Sequence, residues 1–338
     1  MTSYFAPFLF KYARAFLRLF MYSLILGLVI SCSEGSKQKT IRLAHGLDTN
    51  HPVHRAMEFM GDRIELKSEG RINVLIYPSG QLGAERECLE LLQIGSLDIT
   101  KVSAAVLENF IPEYKVLSIP YIFRNKDHAH KVFDGQVGEE ILAKGDHSRL
   151  RGLTFYDAGS RSFYTKTREI DTPKDLEGLK IRVQKSNMAV AMVDLLGGSP
   201  TPISWGELYT ALQQGVVDGA ENNLPSFYTS KHYEVCKYYS LNEHTAVPDV
   251  LLVGKDSWNR FSPSEQQWIR EAAKESARYQ RKLWEASEEE SLKAIKDAGV
   301  MVSYPAKELF EEKTRTIVKM FDNEPEILAL IDKIRNEK

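Results

Sequence analysis

Short apolar runs alternate with segments of helical period along most of this chain, and nearly every helical segment closes on a glycine. That alternation confines the fold to layered strands and helices, with largely parallel sheets. Residues 39–45 read as a strand. Residues 54–68 read as a helix, with Ala56, Phe59, Met60 and Ile64 at helical spacing and Gly70 as the stop. A strand at 72–77 ends at Pro78-Ser79-Gly80, a helix over 85–94 stops at Gly95, and a third strand follows at 97–102. The pattern then restarts. Strands are expected at 154–156, 179–183, 217–221 and 250–253, helices at 187–196 and 205–214, and one helical turn at 173–178. Two such blocks predict two α/β lobes.

Ser262, Pro263 and Glu265 supply an N-cap, a first helical position and the acid of a capping box. The helix they open runs to about Ala298 and stops at Gly299. Its stripe of Trp268, Ala272, Ala277 and Leu283 leaves open whether it braces both lobes or packs on one.

The first 31 residues carry Lys11, Arg14 and Arg18, no acid, and an apolar run over 19–30 that is short for a membrane span. The run ends in Val29-Ile30-Ser31-Cys32, which resembles a bacterial lipobox. A signal peptide at 1–31 and a tether at 32–39 are therefore expected, with Cys32 lipidated and the body held outside the cytoplasm. An ordinary cleaved signal with a chance Cys is the alternative. Losing the three cations takes the formal net charge from −2 to −5. With no basic excess, nucleic acid is not an expected partner. Cys88 and Cys236 lie in different blocks and are expected to be separate buried thiols. No metal knuckle, Gly-x-Ser-x-Gly, His-Glu-x-x-His or phosphate loop occurs, so no enzyme, metal or cofactor is expected.

Six segments carry a resemblance: Leu43-Ala44-His45 with His51-Pro52-Val53-His54; Tyr77 to Arg86; Gly95 to Thr100 with Ser118 to Phe123; Leu176 to Val183; Pro200-Thr201-Pro202 with Glu207 to Gln213; and Gly215 to Asn222. Together and in this order they resemble the DctP-type substrate-binding proteins of TRAP (tripartite ATP-independent periplasmic) transporters, over roughly residues 40–300. The resemblance implies a two-lobed periplasmic-binding-protein-like (type II) fold. Each lobe would be a mixed, mostly parallel sheet with flanking helices. Crossing strands and a long C-terminal helix would join them. Residues 40–157 and 248–287 would form the first lobe, and 158–247 and 288–338 the second.

Arg182 sits on a strand face opposite Leu179 and Ile181, and a guanidinium fits a carboxylate bidentately. The resemblance implies that it clamps a solute carboxylate. It also implies a second basic contact at Arg161 and an amide contact at Asn222, with Asn223 and Glu221 less defined. Phe163 is open between the solute's apolar face and the core. His45, at a strand's C-terminal end, is expected to offer a neutral imidazole. His45, His51 and His54 together lack the spacing of a metal site. Glu85 either reaches solute hydroxyls or simply favours a helix N-terminus. Trp205 is expected against the solute or in the core. Ser103 and Lys185 align with contact positions, and His244 lies near the hinge.

The segments 160–164, 182–184, 221–223 and 238–244 are similar to the hexuronate-binding branch. One Arg with Asn, His, Glu and an aromatic suits a polyhydroxylated acid such as glucuronate or galacturonate. The expected partners are that solute and the TRAP permease subunits. A C4-dicarboxylate receptor, with Arg161 as second anchor, and a receptor feeding a sensor kinase are the alternatives.

Overall fold

The computed structural model describes residues 38–337. Cys32 and the expected signal peptide lie outside the described residues, and Lys39, where the expected tether and strand overlap, belongs to the first strand. Among the described residues eleven strands form two sheets. The first has the order β2 (Ile72–Tyr77), β1 (Lys39–Ala44), β3 (Ile99–Ser103), β10 (Asp249–Gly254), β4 (Leu150–Tyr156). The second has the order β11 (Met301–Ser303), β9 (Tyr238–Thr245), β5 (Arg161–Thr165), β8 (Gly219–Asn222), β6 (Lys180–Val183), β7 (Ser199–Pro202).

Strands β1, β2 and β3 run parallel, as do β6, β7 and β8. The exceptions come from the crossings. Strand β5 arrives from β4 of the other lobe and pairs antiparallel with β8 and β9. Strand β10 arrives from β9 and inserts antiparallel between β3 and β4. The two-lobed, mixed-sheet architecture is thus present.

Strand β7 is an edge. Its neighbour accepts from it twice: Ser199 N–H donates to Leu179 O at 2.8 Å and Ile203 N–H to Val183 O at 3.2 Å. Pro200 and Pro202 occupy the intervening positions of the opposite parity.

The long helix, Pro263–Asp297, begins with the expected capping box of Ser262 and Glu265. At about 1.5 Å per residue its 35 residues reach roughly 52 Å. Ile269, Ala272, Ala273, Ala277 and Trp284 join the first-lobe core with Ile41, Leu43 and Met57. Ile295 joins the second-lobe core with Tyr164, Leu212 and Tyr239. The helix therefore braces both lobes. At its middle, buried Gln280 accepts from Asp157 N–H at 3.0 Å and donates to Asp157 O at 2.7 Å, where the chain leaves β4 for β5. Gln280→Leu would strand a buried N–H and C=O together. At about 1–3 kcal/mol for each group, denaturant unfolding should show a loss of roughly 2–6 kcal/mol. A loss below about 1 kcal/mol would mean that water satisfies both groups.

The last helix, Pro325–Asn336, departs from the expected division. It buries Ile327, Leu330, Ile331 and Ile334 and packs on Pro112–Ser118 and Gln136–Leu142, both first-lobe elements. Arg124 of that lobe donates to the carbonyls of Arg335 and Glu337. Earlier in 288–338, the Phe310 ring lies 6.5 Å from that of Phe163 of β5. Cys88 and Cys236 are buried and unpaired, as expected.

Candidate solute-binding site

Parallel strands of both sheets end at one cavity of about 460 Å³ between the lobes. Gly46 and Leu47 after β1, Ser103 ending β3, Gln184 and Lys185 after β6, and Asn222 ending β8 all line it. Ligands of α/β sheets gather at such carboxyl ends.

Arg182, on β6, is 2 % exposed. Its Nε donates to Ile203 O at 2.8 Å, and its Nη1 is buried with no partner. The guanidinium carbon stands 5.9 Å from the Trp205 ring centroid. Burial pulls its pKa below the ordinary value. Among the described residues no carboxylate forms an ion pair with it, so a buried cation faces a cavity with a donor to spare.

Arg161 lines the same cavity, but its charge is already answered. Its guanidinium pairs with Glu221, with Nη2 2.8 Å from Oε1, and Nη1 donates to Asn222 Oδ1 at 2.8 Å. Burial alone would raise the Glu221 carboxyl. The Arg161 charge and the hydrogen bonds from His244 and Arg161 outweigh it and hold the group at about 2. His244 completes the arrangement, 3.4 Å from Glu221 and stacked on Phe163 at 4.5 Å. Asn222 Oδ1 also accepts from Asn223 N–H, which leaves its amide NH2 as the group available to a solute.

On the opposite wall, Lys101 is buried between two carboxylates, 3.1 Å from Glu85 and 3.1 Å from Asp249. Glu85 Oε1 also accepts from Ser103 N–H at 3.1 Å. Glu85 begins a helix and also lines the cavity. Ser103 caps the helical turn at Ala104–Leu107, and its Oγ lies 3.4 Å from Gln184 Oε1 of the other lobe. Half-buried Trp205 rests on His232 at 5.2 Å, and Tyr164 Oη holds that ring at 2.9 Å. Asn223 caps the helix at Leu224–Thr229, and exposed Lys185 stands at the rim.

Two expected contacts lie elsewhere. His45 is buried behind the wall. Its Nδ1 accepts from Leu47 N–H and its Nε2 faces His54 Nδ1 at 2.9 Å, so neither ring nitrogen is left for a solute. Burial foremost, then Lys101 and His54, lowers its pKa to about 3, and the ring is neutral. Phe163 is fully buried in the core against His244 and Phe310. The cavity instead receives His51, whose Nδ1 caps a helix and whose Nε2 lies 3.3 Å from Ser226 Oγ of the second lobe. Lys101 and Asp249 are two further charged lining residues that sequence reasoning missed. A lysine between Ile99 and Val102 in an otherwise buried strand was the available signal.

Residues 43–324 match the family described as bacterial extracellular solute-binding protein, family 7 (DctP). A solute-binding protein of Chromohalobacter salexigens is 37% identical over 289 residues, covering 85% of this chain and 86% of its own length. A TRAP periplasmic solute-binding protein of Bradyrhizobium, solved with α/β-D-galacturonate, superimposes with a TM-score of 0.86 at 39% identity, over 88% of this chain and 100% of that one. One from Chromohalobacter salexigens, solved with D-glucuronate, gives a TM-score of 0.86 at 36% identity, over 88% and 100%.

Proposed function

The chain belongs to the bacterial extracellular solute-binding proteins of family 7, the DctP-type receptors of TRAP transporters, and from that premise we propose that it captures a hexuronate such as glucuronate or galacturonate between its lobes. The observation that carries the reading is Arg182, a buried cation whose Nη1 has no partner. A carboxylate laid against it gains charge-assisted bonds in a low-dielectric site and removes the cost of the unanswered charge. Trp205 offers a face to the sugar ring. Asn222, Glu85 and Asp249 offer partners to its hydroxyls. Glucuronate and galacturonate in related structures support the same solute class.

In this reading the lobes close as a hinge on the two crossings and the long helix. The first lobe comprises 40–157, 248–287 and the last helix, and the second comprises 158–247 with the segment up to the last helix. A lipid at Cys32 tethers the receptor outside the cytoplasm. It hands its solute to the TRAP permease without turning it over. The neutralisation of Arg161 by Glu221 disfavours a C4-dicarboxylate, which needs two free cations.

Thermal unfolding of the full chain against sugar acids and dicarboxylates tests this. A ligand at about 100 times its Kd should add roughly 2.7 kcal/mol. A shift with succinate or malate and none with hexuronates would overturn the solute. Chemical change in the recovered hexuronate would overturn binding without turnover.

A further inference from the structure

We infer that the Glu85–Lys101–Asp249 cluster is a specificity device that admits solutes with one carboxylate and hydroxyl donors and rejects diacids of the same size; the inference rests on the proposed hexuronate reading. Charge balance is the first ground. Of the charges held deep in the cavity wall, Lys101, Arg161 and Arg182 stand with Glu85 and Asp249, and Glu221 backs Arg161 from behind. Glu221 neutralises Arg161. Two carboxylates share the single ammonium of Lys101. Among the buried cations there, only Arg182 lacks an anion among the described residues, while Lys185, also without an ion pair, stands exposed to water at the rim, so the buried wall has a place for one negative charge.

Hydrogen-bond polarity is the second ground. Glu85 Oε1 is occupied by Lys101 and Ser103 N–H, and Asp249 Oδ1 by Lys101. Among the described residues, no hydrogen bond reaches the other oxygen of either carboxylate. An ionised carboxylate oxygen only accepts, so it pairs with a hydroxyl and repels a second carboxylate. Lys101 is too deeply buried, and too well paired on both sides, to turn toward a new anion. The cluster also ties the cavity to the crossing: Asp249 begins β10, directly after the chain returns from the second lobe.

The experiment compares D-glucuronate with D-glucarate, an open-chain acid with the same carbon skeleton and a second carboxylate, by titration calorimetry on the full chain. The change between wild type and variants, in which the ring contact is constant, isolates the charge effect. Wild type should prefer glucuronate by at least about hundredfold, the scale of a like-charge contact. Glu85→Gln replaces an acceptor with a donor and leaves Lys101 one anion short. It should narrow the preference by about tenfold or more. Asp249→Asn should do the same through the other partner, and carries the test if Glu85→Gln does not fold. Glucarate binding within threefold of glucuronate in wild type would overturn this inference and leave the hexuronate reading standing. An unchanged preference in both folded variants would overturn it as well. Binding of neither acid would remove the hexuronate reading and, with it, this one.

Discussion

Arg182→Met is expected to abolish hexuronate binding and to leave the empty protein no less stable than wild type. Truncating one partner of a buried charge pair costs about 2–5 kcal/mol, or roughly 30- to 5,000-fold in Kd. The second half of the result is the more diagnostic. Without solute the guanidinium is buried, its pKa lowered by that burial, and no carboxylate pairs with it among the described residues. An apolar chain of similar length ends that penalty, and the Ile203 carbonyl loses one donor worth about 1 kcal/mol. Arg182→Lys should recover little, because an ammonium cannot reproduce the bidentate fork while holding Ile203 O. Calorimetry and denaturant unfolding check the two halves separately. Binding within threefold of wild type would dispose of the anchor.

The opposite behaviour is expected at Arg161 and Glu221, where each charge has its partner. Removing one leaves the other buried and unanswered. Glu221→Gln or Arg161→Met alone should therefore cost about 3–5 kcal/mol of stability. The double variant Glu221→Leu with Arg161→Met should cost clearly less than the sum. Acid should mimic the first variant. Glu221 is held at about 2 against an ordinary 4.5. A depressed carboxyl contributes stability in full above 4.5 and loses it as pH falls toward 2. The shift corresponds to on the order of 3 kcal/mol. Unfolding of wild type across that range should show the slope, and Glu221→Gln should flatten it. Additive single variants, or a pH profile indifferent to Glu221, would show that the ion pair is not the coupled unit its geometry implies.

The two arginines mark how far the sequence could be read. The placement of Arg182 at the cavity was legible because a strand's alternation isolates it on one face and its surrounding motif is specific. The fate of Arg161 was not. Its partner sits 60 residues away and meets it only through the β5–β8 register that sets Phe163 opposite Glu221. Strand β5 itself escaped, because Arg161-Ser162-Phe163-Tyr164-Thr165 is buried on both faces and shows no apolar alternation. Strand β7 escaped because proline argues against a strand. The short helices between β3 and β4, such as Pro112–Ser118 and Gln136–Leu142, are too brief for a periodic signal. His45 was misplaced, and Phe163 could not be assigned between solute and core, for a related reason. A strand end says which residues approach a cleft, but not which of them face it and which stand one layer behind.

The proline strand has a bearing on how this molecule behaves toward copies of itself. Ser199 and Ile203 point their N–H groups inward to the neighbouring strand, so the groups at 200 and 202 would point outward, and both positions are proline. The second sheet therefore ends in a border without donors at the two places where an incoming strand would seek them. A chain that must stay dispersed while it waits, empty, for solute carries at that margin a built-in refusal to polymerise.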